Sequence, residues 1–163
     1  MHATLLFVIK DGKILLIEKR RGIGAGKING PGGKIDPGET ARQGAIRETQ
    51  EELLITPINP VKRGELWFAM SDIPDIHCHV YVANNYHGTP TLTAEAVPRW
   101  TAIEDVPYEK MWADDEFWLP QVIDGQCFIG KFVFDGETII AQDVSFQGVE
   151  SDWRNDGEEV FSG

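Results

Sequence analysis

Two apolar blocks open the chain. Ala3 to Ile9 is apolar apart from Thr4, Ile14 to Ile17 resumes the run, and Asp11-Gly12 between them has hairpin-turn composition. This predicts two paired strands. Arg21 to Gly33 holds six glycines and a proline, so it reads as loop or very short strands near a site. From Thr40 no proline appears until Pro57, and good helix formers dominate. At 100° per residue, Glu48, Glu51 and Glu52 share one face of that helix, with Ile46, Thr49 and Leu53 opposite, where they can pack.

Val61 to Met70 and Ile76 to Val82 are strand-like, separated by the turn composition Ser71-Asp72-Ile73-Pro74-Asp75. Asn84 to Pro90 reads as loop, and Arg99 to Ile103 as a short strand containing Trp100. A second helix is predicted from about Asp114 to Ile123, bent by Pro120 and ended by Asp124-Gly125. Cys127 to Phe134 and Thr138 to Phe146 flank Asp135-Gly136, a second hairpin signal. Strands mixed with two helices predict an α/β or α+β layered domain over residues 1–147. Residues 148–163 are polar and acidic and read as a mobile tail anchored by Trp153 and Phe161.

Composition narrows the function. A chain of 163 residues, 42% hydrophobic and 25% charged, has the size of one globular domain. Neither a membrane-length apolar run nor a signal pattern is present, and Cys78 and Cys127 suit free thiols in a reducing cytosol, so a cytoplasmic monomer is expected. A net charge of −11 argues against a nonspecific nucleic-acid binder. An anionic small substrate remains open, because Lys19, Arg20, Arg21, Lys27 and Lys34 cluster early.

The chemistry concentrates between Gly32 and Ile55. Like charges crowded on one helix face destabilise it mildly, and a hard divalent cation shared with substrate phosphates removes that cost. A lone Glu-x-x-Glu-Glu is more often a solvated acidic face. Here a glycine-rich loop just upstream brings backbone N–H groups to the same place, which suits phosphate. Together they point to metal-assisted attack on a phosphoanhydride. A second constellation is Met111-Trp112-Ala113-Asp114-Asp115-Glu116-Phe117-Trp118. It reads either as an N-cap followed by core aromatics or as a base pocket with stacking faces and paired carboxyls. Two aspartates in an apolar pocket resist double ionisation, so one can hold a proton and offer a donor beside an acceptor. His77 and His79 share one strand face, but no further ligand for a zinc site is evident.

Gly33, five residues, Glu39, seven residues and then Arg47-Glu48-Thr49-Gln50-Glu51-Glu52 resembles the Nudix box of pyrophosphohydrolases. That resemblance sharpens the fold to a mixed β-sheet sandwiched between helices. It implies Mg²⁺, with Mn²⁺ as the second candidate, held by the backbone of Gly32 and by Glu48, Glu51, Glu52 and Glu95. Arg47 would orient the glutamates, with Glu52 the first choice and Glu51 the second for general base.

Two positions depart from the box, Thr49 where a bulky aliphatic is expected and Leu54 where a glycine is expected. The first should loosen packing slightly. At the second, either the helix continues to Ile55 and stops before Pro57, or Leu54 is left-handed at a cost of roughly 1–2 kcal/mol.

From about Thr4 to Phe146 the chain is similar to the branch of the family that hydrolyses oxidised purine nucleoside triphosphates, such as 8-oxo-dGTP and 2-oxo-dATP, to monophosphate and pyrophosphate. By matching position, Asn29, Asp114 and Asp115 would hydrogen-bond the purine and Trp112 would stack on it. Thr4, Phe68, Ile76 and Trp118 would wall the pocket, with Lys19 near the sugar or phosphates. Ile23, Lys27-Ile28 and Met70 depart from that branch and imply a wider, less stacked pocket. The rivals are another nucleoside diphosphate-linked substrate, or a non-catalytic nucleotide-binding domain.

Overall fold

The predicted N-terminal hairpin lies near the middle of the sheet. β1 (His2–Lys10) and β2 (Lys13–Lys19) pair antiparallel around Asp11 and Gly12, both at positive φ. The computed structural model describes residues 1–149 and 159–161. Beyond the hairpin follow β3 (Ile28–Asn29), β4 (Gly32–Lys34), α1 (Ala41–Leu53), β5 (Ile55–Pro57), β6 (Val61–Met70), β7 (Ile76–Ala83), β8 (Tyr86–Gly88), β9 (Ala96–Ala102), α2 (Leu119–Ile123), β10 (Cys127–Asp135) and β11 (Thr138–Gly148). The main sheet runs β11-β10-β6-β7-β1-β2-β3, with β4 also on β1 and β9 also on β2. It is mixed, because β1 pairs parallel with β7 and β6 parallel with β10.

Both sheet faces are covered, as the strand alternation requires. Leu6, Val8, Leu15, Ile17 and Tyr81 meet Ala41, Ala45 and Leu53 of α1 on one side. Phe7, Ile14, Leu16, Val80, Phe128 and Phe132 lie under Met111, Trp118, Leu119 and Val122 on the other. The expected sandwich is therefore present.

Several local readings need correction. Helix α1 does not continue to Ile55. Thr40 caps its start with a capping box, and Leu54 ends it in the left-handed conformation, φ 60 and ψ 33, its N–H donating to the Gln50 carbonyl. The left-handed residue turns the chain directly into β5, which pairs with β8 inside the segment read as loop. Thr49 is buried, and its hydroxyl donates to the Ala45 carbonyl at 2.8 Å, so the substitution leaves no unpaired polar atom. The strand read at Arg99 to Ile103 spans Ala96–Ala102 and includes Pro98, tolerated because β9 pairs only with β2.

The predicted helix from Asp114 to Ile123 is broken. A 3₁₀ turn, Asp115–Phe117, is followed by α2, with Pro120 in the first turn of the new helix. There the missing N–H is unneeded, whereas in a continuous helix the ring would strike the carbonyl four residues back. Phe161 is buried in the α1-side core, and its backbone bonds to Gly38 and Glu39. The other expected anchor, Trp153, lies outside the described residues.

Candidate active site

The acidic face of α1 is organised by Arg47. Its guanidinium donates to Glu39 through Nε (2.7 Å) and Nη2 (3.0 Å), to Glu48 (2.9 Å) and Glu51 (3.2 Å) through Nη1, and to the Lys34 carbonyl at 3.0 Å. Glu39 also accepts from the Asp36 N–H, and the Arg47 bonds hold its carboxyl below the usual range. One arginine thus relieves the repulsion between Glu48 and Glu51, while burial still pushes Glu48 up.

Glu52 is buried, close enough to Glu48 for that carboxylate's charge to raise its pKa. Its Oε2 accepts from the Gly32 N–H at 2.8 Å, and burial pushes its pKa up to about 8. The α1 backbone at this point is pinned by Thr93, whose hydroxyl donates to the Glu52 carbonyl at 2.7 Å. The loop packs against the helix with no room to spare. A Cβ on Gly33 would lie 2.7 Å from the Glu48 carboxyl carbon, and one on Gly32 would lie 1.9 Å from the Thr4 carbonyl oxygen. A buried carboxylate with too little positive charge, beside a second carboxylate and exposed backbone, is a set of oxygen donors that fits a hard divalent cation.

Glu95 is near enough for its charge to raise Glu52, but it is bound to Arg21 at 2.9 Å and held below its usual pKa by that partner. Glu51 is more than half exposed.

A cavity of about 290 Å³ opens directly from Glu52, Gly32 and Gly33. Thr4, Lys19, Asn29, Phe68, Ile76, Trp112, Asp114 and Asp115, all singled out from sequence, line it. Asp114 and Asp115 are 3% exposed and share a hydrogen bond. Burial raises Asp114 to about 6, and burial together with the Asp114 charge raises Asp115 well above its ordinary value. Asp115 Oδ2 and Thr4 Oγ1 have no hydrogen-bond partner among the described residues. The Asn29 Oδ1 accepts from the Gly30 N–H at 2.8 Å, which turns the amide so that its NH₂ remains for a ligand. Asp114 occupies the N-cap position of the 3₁₀ turn but makes no side-chain capping bond.

Trp118 is not a wall of this cavity. It is fully buried behind it, stacked on Phe128 at 4.9 Å and 8°, because the break at Pro120 turns the indole into the core. Trp112 does line the cavity, its ring edge-on to Phe134 and covered by Lys27 at 5.0 Å. Of the early basic residues, Lys19 and Lys34 reach the cavity, whereas Arg20 and Arg21 bind the 93–95 loop and Lys27 pairs with Glu137. Phe134 and Cys78 line the cavity without having been singled out. Phe134 had a signal: Phe128, Phe132 and Phe134 alternate on one face of β10.

Residues 1–122 match the family described as NUDIX domain. The chain is 39% identical to the zebrafish oxidized purine nucleoside triphosphate hydrolase over 142 residues and 37% identical to the mouse protein of the same name over 140. Each alignment covers 85% of this chain and 90% of the relative. A MutT protein from Bacillus halodurans shares the fold with a TM-score of 0.79 at 23% identity, covering 88% of this chain and 97% of that one.

Proposed function

The chain belongs to the Nudix family, and on that premise we propose that it is a divalent-metal-dependent pyrophosphohydrolase of oxidised purine nucleoside triphosphates. It converts substrates such as 8-oxo-dGTP and 2-oxo-dATP to monophosphate and pyrophosphate, and so clears them from the nucleotide pool. The observation that carries this reading is the continuity of one cavity. At one end it presents a buried aspartate pair with an unpartnered oxygen, and at the other Glu52 beside the glycine loop.

The aspartate pair supplies the selectivity. One carboxyl keeps a proton and donates, and the other accepts, so together they match a base edge that offers an acceptor next to a donor. A tautomeric change in the base is met by moving the proton between the two carboxyls, which accounts for more than one oxidised purine. Trp112 stacks on the base, the Asn29 NH₂ donates to it, and Lys19 sits between base and phosphates. Relatives named for hydrolysis of oxidised purine nucleoside triphosphates support the same substrate class.

Glu48 and Glu52, with the Gly32 carbonyl and Glu51 at the rim, would hold Mg²⁺, with Mn²⁺ as the alternative; Glu95 enters only by releasing Arg21. When bound, the cation neutralises phosphate charge and acidifies the attacking water. Glu52 is the proposed base for that water, with Glu51 the second choice. Arg47 keeps Glu48 and Glu51 in place without touching substrate. The protein acts as a cytoplasmic monomer on a small-molecule nucleotide, with no nucleic-acid polymer or membrane involved.

Pyrophosphate release with Mg²⁺ from 8-oxo-dGTP, 2-oxo-dATP, dGTP and dATP tests this. Fast turnover of the oxidised pair alone is expected, and Asp115→Asn should change the ratio between its two members. Equal turnover of all four, or an unchanged ratio in the folded variant, overturns the assignment of the aspartate pair. No turnover of any overturns the activity.

A further inference from the structure

His2 lies opposite His77 in the parallel β1–β7 register, and His79 follows two residues on. Sequence spacing put His77 and His79 on one face but offered no further ligand. The third imidazole comes from the far end of the sequence, through the parallel pairing. The three side chains offer ligand nitrogens within 4.8 Å of one another. They extend the α1-side face of the sheet, where Phe161 packs on His2 and His79 with ring centroids 4.5 and 5.5 Å away.

The surroundings of these rings differ from those of ordinary core histidines. His79 is 4% exposed, and neither of its ring nitrogens has a hydrogen-bond partner among the described residues. An imidazole desolvated this thoroughly normally satisfies at least one nitrogen. Glu65, across the strand pair from His79, accepts from His77 Nε2 at 2.7 Å and lies 3.8 Å from His79 Nδ1. Burial opposes its ionisation, but the His77 bond and nearby Lys62 hold it below its usual value. Burial, with Lys62 and His77, lowers the pKa of His79, and burial lowers that of His2 as well.

We propose that His2, His77 and His79 form a binding site for one zinc-like divalent cation, oriented by Glu65 and separate from the acidic helix. Imidazole nitrogens select such ions over Mg²⁺, which prefers oxygen. The Glu65 bond to His77 Nε2 leaves the Nδ1 lone pair for metal, the arrangement in which a carboxylate commonly sets a ligating histidine. Zn–N bonds of about 2.1 Å in a tetrahedron place nitrogens roughly 3.4 Å apart, so closure requires only side-chain rotation, which exposed His2 permits. The three nitrogens leave a fourth position open to water. The bound ion would tie the start of β1 to β7.

Calorimetric titration of the metal-free full-length chain with ZnCl₂, in excess Mg²⁺, tests the site. One Zn²⁺ per chain is expected, with a rise in Tm. His2→Gln, at an exposed position, and His79→Gln should each weaken binding about tenfold or more, whereas Glu52→Gln should leave it unchanged. The proposal is overturned if the folded wild type takes up no Zn²⁺, if His2→Gln binds as tightly as wild type, or if Glu52→Gln abolishes uptake.

Discussion

The indole N–H of Trp118 donates to Asp114 Oδ2 at 2.8 Å from a ring that never reaches the cavity. The bond favours the ionised form of Asp114 and so helps assign the shared proton to Asp115. The indole is a positioning group for the aspartate pair proposed to read the base.

Trp118→Phe keeps a ring against Phe128 and removes the donor. The variant should lose about 1–3 kcal/mol of stability at pH 7.5, and less at pH 5, where Asp114 is protonated. The KM for oxidised nucleotides should rise with little change in kcat. Denaturant unfolding at the two pH values, with steady-state kinetics, checks both.

Glu52→Gln separates stability from activity. The folded-state value of about 8 lies above the ordinary carboxyl range, so the unfolded chain ionises first. Wild-type stability is fully present at low pH and declines as pH rises through about 8. Glutamine can still accept from the Gly32 N–H and does not ionise. The variant should therefore be more stable than cation-free wild type at pH 9, by roughly 2–4 kcal/mol, and Mg²⁺ should narrow the gap. Turnover should fall by about 10²–10⁴. Thermal melts across pH with and without Mg²⁺, beside a pyrophosphate assay, test each half.

Gly33→Ala introduces a methyl 2.7 Å from the Glu48 carboxyl carbon. Glu48 must move, so the Mg²⁺ concentration for half-maximal activity should rise about tenfold or more. The fold should survive, because the obstructed atoms end a side chain. A Mg²⁺ titration of activity measures this.

Leu54→Gly relaxes a left-handed residue that is 57% exposed. Relief of roughly 1–2 kcal/mol, offset by the flexibility of glycine in the unfolded chain, should stabilise the protein by up to about 1 kcal/mol and raise Tm by a few degrees. Activity should not change, since Leu54 does not line the cavity. Differential scanning calorimetry decides.

Legibility followed sequence distance. The acidic helix, its glycine loop and Arg47 could be read because their partners lie within about one motif, where helical period fixes who meets whom. Asp114 and Asp115 were legible as a pair, being adjacent. Trp118 was misplaced because its direction depends on the break at Pro120 and on a stack with Phe128 from another strand. Cys78 and Phe134 reach the cavity through strand order, which alternation alone does not reveal. The meeting of His2 with His77 likewise depends on a parallel register between distant strands.

The position of β1 also constrains the order of events at the ribosome. The strand is made well before its parallel neighbour β7, which ends at Ala83. Until that residue emerges, the nascent chain carries an apolar strand with one side unpaired, the kind of exposed edge that favours misassembly. Thr4 and Ile76 face one cavity from these two strands, so that cavity cannot take shape until both strands have been translated.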